Sequence, residues 1–169
     1  MLFRSNPAQL LFQPDEFWEK LAKDARIVRN PLKIRTVRAN AAFVRDVARE
    51  HGSFGKFLAG WPASDEVGLL ELLKKRGAHL GGRSGQMLLR FLGYDCFVLS
   101  GDVIACLRDA GVDIGEAVSS KRDFAAVQAQ FNAWAKESGL SYTQMSRICA
   151  MSIGENYEAS KLAQMADAE

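Results

Sequence analysis

The chain has 169 residues, 48% of them hydrophobic and 25% charged, an ordinary globular composition that excludes a disordered tail and allows one domain with a core. Its formal charge of +2 is too small to mark a nucleic-acid protein, so any electrostatic argument rests on where the cations sit. The three cysteines share no CxxC spacing, which argues against a disulfide framework and fits a reducing cytoplasm, and no apolar run reaches the ~18 residues of a membrane span.

Residues 2–5, LFRS, are what the codons CTC TTC CGA TCT encode, the end of a common sequencing adapter. Met1 to Ser5 are therefore expected to be a non-native leader, with a genuine start at Met1 as the alternative. The first helix is expected after Pro14 and Asp15, carrying Phe17, Trp18 and Leu21. Ile34, Val37, Ala41, Val44 and Val47 then recur at three and four residues, the buried stripe of a helix from about Pro31 to about Glu50.

The stretch HGSFGKFLAGWPASDE is broken by glycines and Pro62, and reads as a loop around Phe54, Phe57, Leu58 and Trp61. A helix is expected from Ser64 or Asp65, with Val67, Leu70 and Leu73 inward and KKRG at its carboxyl end, where the dipole favours cations. Two further helices, Gly85 to Leu92 and Asp102 to Ala110, are closed by Gly93 and Gly111. Ser120 with Asp123 resembles a capping box before a stripe of Phe124, Val127, Phe131 and Trp134 that stops at Gly139, and Ser141 with Gln144 repeats the device. That last helix is expected to run to about Ile153, before a C-terminal tail over 155–169. CFVL is the one β-like run and is too short to build a sheet, so the fold class is all-α.

Between two helices, HLGGRSG places glycines where the backbone must turn sharply. Such a turn leaves N–H groups at a helix start that can donate to a phosphate, with Arg83 and Ser84 beside them; closing a helical hairpin is the other reading. On the helix after Pro31, Arg35, Arg38, Arg45 and Arg49 share one face, with Lys33 and Arg29 near its start, and Lys74, Lys75 and Arg76 immediately precede the hairpin. A solvated face and a DNA-facing surface both fit this stripe.

DARIVRNPLKIRTVRANAAFV, LLKKRGAHLGGRSG and FVLSGDV, followed by SKRDFAAVQAQFNAW and SRICAMSIG, resemble the 3-methyladenine DNA glycosylase I family, within the helix-hairpin-helix glycosylase superfamily. The resemblance covers residues 6–154 and lies in the combination of elements at compatible spacing. It implies an enzyme of base-excision repair that flips an alkylated adenine from duplex DNA and hydrolyses its N-glycosidic bond, without a lyase step. The lesion is cationic and a good leaving group, so shape, stacking and hydrogen bonds matter more than strong acid catalysis. Leu80, Gly81, Gly82, Arg83, Ser84 and Gly85, with Lys33, Arg35 and Arg38, are then the expected DNA contacts.

The family's pocket carboxylate and aromatic residues lie in an amino-terminal portion not identifiable in this chain. The resemblance therefore puts the catalytic carboxylate upstream of Met1, and the chain is expected to be a fragment that is inactive alone. In the superfamily's second turn an aspartate is usual; LSGDV puts Ser100 at that position, as the resemblance to this family implies. Asp102 is a catalytic candidate only by a shifted register, and capping by Ser100 or Asp102 competes with it. Neither the cysteines nor His51 and His79 have ligand spacing, so no metal and no cofactor are expected. His79 is read as a phosphate contact or a structural histidine, and Trp61 and Tyr94 as core or as stacking platforms. A monomer bound to duplex DNA with alkylated bases is expected. A non-catalytic helix-hairpin-helix module and a helical protein-interaction domain remain as alternatives, separable by salt-dependent duplex affinity.

Overall fold

The computed structural model describes residues 6–153. The expected leader, Met1 to Ser5, and the tail over 155–169 lie outside the described residues. Among the described residues every regular element is helical, as the all-α reading requires, and no helix is long and apolar enough to cross a membrane. The chain divides into two compact units, with the boundary after Tyr94.

The first unit holds α1 (Pro7–Leu11), α2 (Asp15–Ala22), α3 (Pro31–His51), α4 (Phe54–Gly60), α5 (Glu66–Arg76) and α6 (Arg83–Phe91). Helix α3 is its spine, with α1, α2 and α4 packed on it. It starts where Asn30 accepts the Lys33 N–H at 3.1 Å and Pro31 takes the first helical position, which needs no donor. Ile34, Ala41 and Val47 are buried as expected, Val37 and Val44 half-buried, and Phe43 joins them.

Two helices depart from the sequence reading. The segment that reads as a loop contains α4, because the Ser53 hydroxyl accepts the Lys56 N–H at 2.9 Å and Phe57 and Leu58 are buried. Burying two such side chains contributes roughly 1.5–3 kcal/mol each, which outweighs the at most ~1 kcal/mol that Gly55 costs in the first turn. The short α1 starts on the same Asn–Pro device as α3, with Asn6 accepting the Ala8 N–H at 2.9 Å. Its five residues are too few to show a period.

Before α3, Asp24 accepts the Arg26 backbone N–H at 2.9 Å and its guanidinium at 2.6 Å. These bonds hold the Asp24 carboxyl at about 2, below its ordinary 3.8. Because folding lowers this pKa, the turn's contribution to stability is complete above the ordinary value and is lost as pH falls through about 2. A carbon-13 NMR titration should place the Asp24 midpoint near 2, and Arg26→Ala should return it toward 3.8; an unchanged midpoint in that variant would break the assignment.

The second unit holds α7 (Gly101–Asp109), α8 (Lys121–Ser138) and α9 (Tyr142–Ser152). Helix α9 packs on both α7 and α8. Ser120 accepts the Asp123 N–H at 3.0 Å to start α8, Gly139 ends it at φ 71°, and Ser141 with Gln144 forms the full capping box. Phe97 and Phe131 are fully buried and stack at 4.6 Å between centroids.

The CFVL run forms no strand. Its backbone is held instead by α9 side chains: the Cys96 N–H donates to the Thr143 hydroxyl at 3.2 Å and the Val98 N–H to Ser146 at 2.9 Å. Beside it, the Asp95 carboxylate accepts the Tyr142 and Thr143 N–H groups at 3.1 and 2.8 Å, a second cap for α9 from outside the helix.

Candidate nucleic-acid interface

The turn from α5 into α6 is built by close approaches that glycine permits. After Lys74, Lys75 and Arg76 at the end of α5, the Gly77 N–H closes the helix on the Leu73 carbonyl at 2.8 Å. A Cβ at Gly77 would stand 2.6 Å from Leu80 Cδ1, so the glycine lets Leu80 fold back over the helix end. His79 is exposed and left-handed at φ 57°, a turn residue and not a buried structural one.

Asn40 of α3 fixes the turn from outside. Its side-chain carbonyl accepts the Ala78 N–H at 2.8 Å and its amide donates to the Ala78 carbonyl at 3.1 Å. One side chain thus satisfies both polar groups of a turn residue, leaving that backbone a single arrangement. Sequence reading gave Asn40 no role.

Gly82 is the N-cap of α6, at φ 58° and ψ −137°, a conformation essentially reserved for glycine, and no side chain caps the helix. Its carbonyl accepts the Gly85 and Gln86 N–H groups at 3.1 and 3.2 Å. The Arg83 and Ser84 N–H groups in the first turn have no partner among the described residues, and both side chains are exposed. This is the arrangement that favours an anion at a helix start.

Gly85 and Leu80 serve the hairpin differently from the expected DNA contacts around them. Gly85 is buried, and a Cβ there would stand 2.5 Å from the Leu80 carbonyl, so its role is close packing of α6 against the turn. Gly81 lies against the aliphatic stem of Lys74, whose Cγ would be 3.1 Å from a Cβ at that position. That contact brings Lys74, one of the cations that precede the hairpin in sequence, against it.

The basic stripe divides. Lys33 and Asn40 are seven residues apart and so lie on one face of α3, the face that holds the hairpin at Ala78. Arg35 and Arg38 instead line a surface groove of about 440 Å³ with Asp15, Trp18 and Glu19 of α2. Arg38 pairs with Asp15 at 2.9 Å, and Arg45 and Arg49 both approach Asp46 at 3.5 Å. Arg76 is also engaged, forked onto Glu50 at 2.8 Å through both nitrogens and holding that carboxyl below its ordinary range. Lys33, Lys74, Lys75 and Arg83 form no ion pair among the described residues, and all four are exposed.

The second turn lies in the other unit. Ser100 is the N-cap of α7, its hydroxyl accepting the Val103 N–H at 3.3 Å, and Asp102 is exposed in the first turn. Ser100 thus caps α7, and Asp102 stands in the first turn, where the helix dipole favours a carboxylate. The carboxylate expected upstream of Met1 falls outside the described residues, which begin at Asn6. The Trp61 indole donates to the Asp65 carbonyl at 2.8 Å and the Tyr94 hydroxyl to the Trp61 carbonyl at 3.2 Å, so both are tied into the first unit. Among the described residues no group of three or more His, Cys, Asp or Glu side chains is placed to hold a metal ion. No family model, curated protein or solved structure matches the chain.

Proposed function

We propose that this chain binds duplex DNA through the α5–α6 turn, as a helix-hairpin-helix protein serving the excision of alkylated adenine. The observation that carries the binding is the uncapped start of α6, where Arg83 and Ser84 present N–H groups and exposed side chains, with unpaired Lys74 packed on the hairpin at Gly81 and unpaired Lys75 next to it in the chain. Phosphate satisfies such donors, and unpaired cations add the sequence-independent attraction that brings a protein to a duplex. The excision reaction, of 3-methyladenine by N-glycosidic hydrolysis, rests on the resemblance of the hairpin, the α3 motif and the carboxyl-terminal elements to the 3-methyladenine DNA glycosylase I family.

Anisotropy of a labelled duplex tests the binding. The logarithm of the affinity should fall linearly with log salt between about 50 and 200 mM, with a slope of about −2 to −4 for a few phosphate contacts. Duplex affinity without that slope, or none at about 50 mM, removes the proposal. It would favour a protein-interaction domain, for which Phe91 and Leu92, 79% and 51% exposed at the end of α6, are the contact candidates. Chromatography of methylated DNA tests the chemistry. Release of 3-methyladenine near background, with binding intact, is expected of a chain in which Asp102 is not the catalytic carboxylate; strong release would direct replacement to Asp102 first.

A further inference from the structure

The groove between α2 and α3 is not used by the proposed DNA contact. Its volume of about 440 Å³ lies within the roughly 300–1,000 Å³ of small-molecule sites. The two helices line it with opposite charges, Asp15 and Glu19 from α2, Arg35 and Arg38 from α3. Arg38 and Asp15 pair at 2.9 Å and tie the two walls together. Glu19 follows Asp15 by four residues and Arg35 precedes Arg38 by three, so a second pair of opposite charges stands one helical turn nearer the α2–α3 connection. That pair is open: Glu19 and Arg35 are exposed and form no ion pair with each other or with any other described residue. Trp18 and Ile34, 8% and 6% exposed, are the buried residues of the lining. The Trp18 indole N–H is buried without a hydrogen-bond partner.

We propose that this groove binds a free α-amino acid with an apolar side chain, as its zwitterion. The ligand carboxylate meets Arg35 and accepts the Trp18 N–H, and the ligand ammonium meets Glu19. A guanidinium and a carboxylate that face one groove without closing on each other match a molecule that carries both charges, and each ligand ion gains a charged partner. A simple anion would meet Glu19 as a like charge, and a simple cation would meet Arg35 in the same way, so the two walls select against both. The side chain lies on Trp18 and Ile34, which supply the apolar surface from which small-molecule sites draw affinity. A buried donor without a partner is unfavourable, and a carboxylate that accepts from it recovers that loss on binding.

Nitrogen-15 NMR of the full chain tests the site, with L-leucine as the probe. The chain has three tryptophans, and the indole N–H signal that disappears in Trp18→Phe is that of Trp18. Leucine should shift this signal saturably, with a Kd on the order of 0.1–1 mM, and leave those of Trp61 and Trp134 in place. Leucinamide, N-acetyl-leucine and glycine lack the carboxylate, the ammonium and the side chain in turn, and each should bind about 10-fold more weakly or worse. Arg35→Gln and Glu19→Gln, at exposed positions that leave the core intact, should each weaken leucine binding by about 10-fold. A Trp18 signal unmoved by leucine at about 20 mM would overturn the proposal. Equal binding of N-acetyl-leucine, which marks a plain anion site, would do the same, as would parental affinity in both glutamine variants.

Discussion

Gly82→Asp is expected to lower duplex-DNA affinity by about 30-fold or more at about 100 mM salt, while far-ultraviolet circular dichroism stays unchanged. The φ of 58° with ψ of −137° at the start of α6 suits glycine alone, so any side chain strains the turn by ~1–2 kcal/mol. Aspartate would also place a carboxylate where the first-turn N–H groups of Arg83 and Ser84 await an anion, and would cap them itself. A combined loss of ~2 kcal/mol corresponds to the stated factor. Arg83→Ala should weaken binding less, by roughly 3- to 10-fold, and reduce the salt slope by about one, as removal of a single phosphate contact does. Arg122→Ala is the control: Arg122 pairs with Asp113 in the other unit, and its loss should leave affinity and slope alone. If all three variants bind as the parent does, the hairpin is not the DNA contact.

Asn40→Ala should destabilise the first unit by about 2–4 kcal/mol. It removes two hydrogen bonds and leaves the Ala78 N–H and carbonyl partly buried without partners, at roughly 1–3 kcal/mol for each unsatisfied group. Chemical denaturation should show the midpoint fall with little change in slope, and the Ala78 amide should lose hydrogen-exchange protection. Asn40→Asp should behave almost as badly, because the carboxylate keeps the bond to the Ala78 N–H but faces its carbonyl without a donor. Recovery of stability with aspartate would show that one of the two bonds is dispensable. Either variant should also weaken DNA binding, since Lys33 and the turn are held together through α3.

Helix starts were legible where the signal is local. Pro31 opens α3 as its position indicates, Asp65, Ser120 and Ser141 cap the helices they precede, and Gly93, Gly111 and Gly139 all take positive φ at the ends. Helix α4 was hidden because Gly55 and Gly60 erase the propensity signal while Phe57 and Leu58 act through burial, which depends on the rest of the fold. Within the candidate site, Gly82 and Arg83 could be found from the turn itself. Which cations are already paired could not: Arg38 meets Asp15 across 23 positions and Arg76 meets Glu50 across 26. Asn40 reaches Ala78 across 38, and a lone asparagine on a helix has no local mark of a long-range partner.

The extended run CFVL carries apolar, β-prone side chains on a backbone that elsewhere would recruit another strand. Here hydroxyls of α9 occupy its N–H groups, with Thr143 and Ser146 standing where a neighbouring strand's carbonyls would be. Helix α9 therefore closes two positions at which a further strand could pair. A chain in which α9 were detached would leave the Cys96 and Val98 N–H groups open together, beside apolar side chains, as a short edge for another chain to pair with.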